Sequence, residues 1–148
     1  MIKKLILPAV VFAAVALFSY TKEHRGLSLT APHSESLSDD GALRRAFESR
    51  AAGAQVEGQG IVVKVLADDN DGSRHQRFIL QVGSGQTLLI AHNIDLAPRV
   101  SFLTEGDIIS FNGEYAWNEK GGVVHWTHHD PQGRHSAGWI KRKGQTFE

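Results

Sequence analysis

The sequence predicts a mainly β fold: a small five-stranded OB-like barrel preceded by a short helix. Two observations predict it. Five β-patterned runs follow one another between Ile61 and Thr127, separated by Gly-, Asp- and Asn-rich turns. The first three are joined by short turns, as in a meander, and a longer connection from His92 to Gly106 separates the third from the fourth. That order is the layout of a partly open Greek-key barrel.

The elements follow in chain order. Met1 to Lys4 is a short basic start, and Leu5 to Tyr20 is apolar apart from Ser19. This is the layout of an export signal, and the run is shorter than the ~20 residues of a comfortable membrane span. Residues 1–20 are therefore expected to be a cleaved signal peptide or, if retained, an N-terminal anchor. The expected location is periplasmic or secreted, with a membrane role only through that uncleaved segment. Residues 21–41 are polar and read as a flexible linker. Residues 42–148 form the single barrel domain with its leading helix. Ser38, Asp39 or Asp40 can cap that helix, and Leu43, Ala46, Phe47 and Arg50 follow at helical spacing. It is expected to pack only on the domain edge.

Ile61 to Leu66 is the first strand, and Asp68 to Gly72 a turn-rich loop. Arg77 to Val82 is the second strand, Thr87 to Ala91 the third, Asp107 to Tyr115 the fourth and Val123 to Thr127 the fifth. Leu103-Thr104-Glu105-Gly106-Asp107 resembles the entry to the fourth strand of many OB-like barrels.

Composition narrows the function. Lys plus Arg equals Asp plus Glu, sixteen of each, so the basic excess of a general nucleic-acid binder is missing. The absence of cysteine removes disulfides, thiolate metal sites and cysteine nucleophiles. No Gly-x-Ser-x-Gly elbow is present, and Asp68-Asp69-Asn70-Asp71-Gly72 fails as an EF-hand, because aligning Gly72 puts Ala67 and Phe78 at ligand positions.

What stands out is a histidine-dense run, His125-Trp126-Thr127-His128-His129-Asp130-Pro131-Gln132-Gly133-Arg134-His135. Imidazole is the commonest metal ligand and the side chain that moves protons near neutral pH. In an extended strand His125 and His129 would lie about 13 Å apart and could not share an ion. Asp130-Pro131-Gln132-Gly133 carries the residues of a type I turn. A chain doubling back there sets His128 opposite His135 and His129 opposite Arg134. His75 opens the second strand and His92 ends the third, so both can approach the run at one rim of a barrel. The candidate metal ligands are His128, His135, His75 and His92, and zinc suits three neutral imidazoles with an open position. The candidate ligand-binding residues are His75, Arg74, Arg77, His92, His125, His129, Asp130 and Arg134. A lone histidine at a strand end is more often a hydrogen-bonded surface group than a ligand. Trp126 is expected to fill the barrel, with Trp117 or Trp139 offering a stacking surface.

Three segments carry a resemblance: Asp69 to Phe78 (DNDGSRHQRF), Ala91 to Ala97 (AHNIDLA) and His128 to Trp139 (HHDPxGRHxxGW). Together they resemble a family of small exported bacterial proteins that constitutes a domain of unknown function. The resemblance runs from about Gly58 to the C-terminus and implies no activity.

These readings converge on an exported ligand-binding barrel with a histidine-rich, divalent-metal-compatible site. Its partner is expected to be a small molecule, a glycan or an envelope component. Two alternatives stand beside it: a metal- or histidine-dependent hydrolase of phosphodiesters or glycans, and a pH-sensitive envelope interaction module.

Overall fold

The computed structural model describes residues 40–148, so the export segment and nearly all of the linker expected before the domain lie outside the described residues. Among the described residues, one helix, α1 (Gly41–Glu48), leads into seven strands: β1 (Ala52–Val65), β2 (His75–Val82), β3 (Thr87–Asn93), β4 (Ile108–Ala116), β5 (Val123–His125), β6 (Trp139–Arg142) and β7 (Gln145–Phe147). β1 pairs with β2, β2 with β3, β3 with β5, β5 with β4, and β4 with β1 again. This closes a five-stranded OB-like barrel. The β3–β5 contact is parallel and the others are antiparallel.

β1 is 14 residues long, far longer than its β-branched half predicts. Its first half alternates Gln55, Glu57 and Gln59 outward with Val56, Gly58 and Gly60 inward. A Cβ at Gly60 would stand 2.7 Å from the Gln81 carbonyl oxygen. The missing side chain lets β1 turn from β4 to β2 at Gly60 and Ile61, the two residues that pair with both.

The core is a cluster that includes Phe78, Leu80, Leu88, Ile90, Ile109, Phe111, Tyr115 and Val124. β2 alternates as its sequence requires, with Phe78, Leu80 and Val82 buried and His75 and Arg77 on the other face. α1 is more than the edge helix expected, because Leu43 is fully buried and belongs to the core cluster. It lies against Phe111 and the backbone of Gly58. Leu43→Ala is expected to cost about 2 kcal/mol, the low end of the range for a buried leucine. Urea unfolding would measure it, and an unchanged midpoint would remove the helix from the folding unit.

The β6–β7 hairpin was not anticipated. Arg142 pairs with Gln145 across Lys143 and Gly144, both at positive φ. That is a two-residue type I′ loop. β6 hydrogen-bonds to β4 from Ser110 to Asn112 and contributes Ile140 to the core.

Candidate functional site

The histidines among the described residues lie at the barrel end where β2 begins and where β3 and β5 finish. β5 stops at His125 rather than Thr127, because Trp126 takes a positive φ of 53° and turns the chain out of the sheet. The expected turn forms, with the Gly133 amide donating to the Asp130 carbonyl at 3.0 Å. Buried Asp130 holds the returning arm through the amides of Gln132, Arg134 and His135 at 2.9, 2.8 and 3.1 Å. These donors hold its carboxyl below the usual range, the Gln132 amide most strongly. Asp130→Ala is expected to speed amide exchange at Arg134 and His135 while leaving the exchange of β2 and β3 unchanged. Equal acceleration across the barrel would mean that Asp130 supports the whole fold rather than the loop.

The two arms do not meet as predicted. The Gly138 amide, not His135, bonds the His128 carbonyl, at 3.0 Å. His128 and His135 instead share a neighbour. His135 stacks on Trp126 with ring centroids 3.8 Å apart, and His128 lies tilted against the same indole at 5.4 Å. Trp126 is thus half-buried in the histidine cluster and does not fill the barrel, which corrects the expectation from sequence.

His75, His125 and His128 line one cleft of about 300 Å³, together with Ser73, Asn93, Leu96 and Trp126. They come from the start of β2, the end of β5 and the loop after it. The His75 Nδ1–H donates to the Ser73 carbonyl and the His128 Nδ1–H to the His129 carbonyl, each at 2.8 Å. In the neutral rings these bonds leave Nε2 as the lone-pair nitrogen. Burial pushes the His125 pKa down, partly opposed by Glu114.

His92 sits behind this wall and is fully buried, its ring centroid 6.5 Å from that of His128. Its Nε2–H donates to the Pro98 carbonyl at 3.0 Å, and its Nδ1 accepts from the Thr127 hydroxyl at 2.8 Å. Both ring nitrogens serve the fold, and burial lowers its pKa to about 4. Among the described residues, no group of three or more His, Cys, Asp or Glu side chains is disposed to hold a metal ion.

The arginines are engaged elsewhere. Arg74 is paired to Asp95 through Nε at 2.7 Å, and Arg77 donates from Nε to the Ala67 carbonyl at 3.1 Å. His129 and Arg134 are exposed on the loop. Trp117 packs beside Phe47, and Trp139 lies under the Lys141 ammonium.

Sequence reasoning missed Glu114. It projects from β4 opposite His125. Its Oε2 accepts from the His135 Nδ1–H at 2.9 Å, and its Oε1 lies 3.8 Å from His125 Nε2. The only signal in the sequence was parity: Glu114 alternates outward between Gly113 and Tyr115, both of which point inward.

No curated protein matches this chain in sequence. Over residues 26–148 the chain matches, and belongs to, the family described as a protein of unknown function (DUF3465).

Proposed function

We propose that the barrel is a binding domain, acting outside the cytoplasm, for a small hydroxyl-rich molecule such as a glycan fragment. One observation carries this reading: three imidazoles from two separate chain segments, His75 at the start of β2 and His125 and His128 at the end of β5 and just after it, line one cleft with an indole. The ring nitrogens left over at His75 and His128 are acceptors, so the complementary ligand carries donors. Trp126 supplies an apolar ring surface beside them, and Asn93 and Ser73 add groups that both donate and accept. The basic start and apolar run of residues 1–20 support export. A divalent ion shared with the bound molecule would use the same two nitrogens.

The test is a titration of the full chain with N-acetylglucosamine oligomers and, separately, with zinc chloride, followed by tryptophan fluorescence and histidine ring NMR. The proposal expects a saturable change centred on His75, His128 and Trp126, weakened at least about tenfold by His128→Ala, equivalent to 1.4 kcal/mol. No response to the oligomers would remove the glycan reading. No response to zinc, or a zinc response unchanged by replacing His75 and His128, would remove the metal reading.

A second reading, hydrolysis, is favoured by the contact between Glu114 and His135. A carboxylate on Nδ1 fixes the tautomer that a general base requires. It predicts turnover of a phosphodiester or glycosidic substrate that falls by about 100-fold in His135→Ala, at the lower end of what general bases contribute. The absence of turnover across such substrates, with and without divalent ions, would sink it.

A further inference from the structure

On the barrel wall formed by β1, β4 and β6, a groove of about 580 Å³ has a basic lining. Lys141, Arg142 and Lys143 line it together with a single carboxylate, Asp107. The loop beside it holds Phe102, which is 90% exposed and has a φ of 54°. A bulky residue in that backbone region is strained, and an aromatic ring left in water gives up its burial. The arrangement is nonetheless held rigidly. The Arg142 guanidinium, itself largely buried, donates to the Ser101 carbonyl at 3.1 Å, the Phe102 carbonyl at 2.8 Å and Asp107 Oδ2 at 2.9 Å. Asp107 also accepts from the Thr104 amide and hydroxyl, so both ends of the loop are fixed.

Other apolar side chains are exposed on the groove wall and the strand beside it. Ile108, on the groove wall, is 59% exposed, and Ile61, paired with it across β1 and β4, is 51% exposed. Val63 follows Val62, whose backbone bonds the chain at Gly106 and Asp107, and it too is exposed. Strain at a clamped loop tip and clustered exposed apolar side chains are each marks of an interaction surface.

The charge pattern selects the partner. The groove lining carries three cations and one carboxylate; between Ser101 and Asp107 the other acid is Glu105. Asp107 takes up Arg142 and lies 3.5 Å from Lys143. Lys141 stands over the Trp139 ring at 4.0 Å, which places an indole at the same wall. A protruding aromatic, flanking aliphatics, an interfacial-type tryptophan and lysines beside them are the parts that meet acyl chains and anionic headgroups. We propose that Phe102 and the Lys141–Lys143 groove dock the folded domain onto the surface of an anionic lipid bilayer. This contact lies in the barrel itself and is separate from any anchoring by residues 1–20. No helix among the described residues is long and apolar enough to cross a membrane, and the contact needs none.

The chain has no cysteine, so Phe102→Cys in the full chain accepts one environment-sensitive fluorophore, and Gln132→Cys on the histidine loop supplies the control. On vesicles of phosphatidylglycerol with phosphatidylcholine, the label at 102 is expected to shift to the blue and to be quenched by brominated acyl chains. The label at 132 is expected to stay in water. Replacing both Lys141 and Lys143 by Gln is expected to weaken the response at 102 about tenfold or more. Because the label reports its own depth, the result is independent of how residues 1–20 meet the vesicle. A label at 102 that stays aqueous overturns the proposal, as does one that responds equally on pure phosphatidylcholine. A blue shift that grows with protein concentration without vesicles overturns it in favour of a second copy of the chain.

Discussion

Gly138→Ala is expected to destabilise the domain by about 4 kcal/mol, beyond the usual cost of overpacking. A Cβ there would stand 2.0 Å from the Trp126 carbonyl oxygen, 2.5 Å from that of Asn112 and 2.9 Å from the Thr127 Cα. All three are backbone atoms, so no side chain can swing aside. Gly138 is where the loop after β5 crosses the entry to β6, and its amide bonds His128. Relief therefore requires moving either the β4–β6 pairing or the segment that carries Trp126 and His128. Urea unfolding would give the loss of stability, and histidine ring NMR would show His128 leaving Trp126. A variant with wild-type stability and unshifted ring resonances would mean that the crossing is far looser than this geometry.

Acidification from pH 7 to pH 4 is expected to remove about 3 kcal/mol through His92 alone, taking 1.36 kcal/mol for each pH unit by which its affinity for protons differs. In the unfolded chain His92 takes up a proton near the ordinary 6.5, and in the fold only near 4. The unfolded state therefore binds more protons between those values. Stability is complete above pH 6.5, falls through the window and stops falling, for this group, below 4. Burial is the main cause, since the charged ring would sit in the core with its two hydrogen bonds already committed. His125 is shifted in the same direction and steepens the decline. Asp107 and Asp130 have depressed pKa values; their contributions are lost only below the ordinary carboxylate range, so they extend the loss to lower pH. Unfolding free energies at pH 7, 5.5 and 4 would trace the curve. His92→Phe is expected to start less stable, because the Thr127 hydroxyl and Pro98 carbonyl lose their partner, and to decline less steeply. An identical slope in both proteins would place the proton uptake elsewhere.

Where side-chain pattern alone decides structure, sequence and structure agree. The alternation of Phe78, Leu80 and Val82 and the run Leu88 to Ile90 gave strands in the right places, and the long connection before β4 gave the barrel order. The first half of β1 was hidden, because two of its inward positions, Gly58 and Gly60, are glycines with no apolar side chain to mark the period. The β6–β7 hairpin was hidden differently. A Lys-Gly pair is a weaker turn signal than Asn-Gly, and the strands beside it are short. At the site, the Asp130 turn followed from local chemistry and formed. The partners of each ring did not follow, because they depend on Trp126 leaving the sheet at positive φ. That single backbone choice puts an indole where the sequence suggested a pair of imidazoles. It also sets His135 against Glu114, a residue 21 positions away.

The closure of the barrel through β1 has a consequence in time. Gln55 meets Asn112 and Gln59 meets Ser110, contacts that span 57 and 51 residues. Such pairings carry a large loop-closure entropy and slow the search for the native state. During synthesis β1 emerges well before β4, and its first half must wait as an open edge able to recruit any passing strand. That half is the one written in glycine, glutamine and glutamate, with Glu57 at its centre. The residues that hide it from pattern recognition also make it a poor template for the wrong partner, so the chain can leave its longest strand half-paired until β4 arrives.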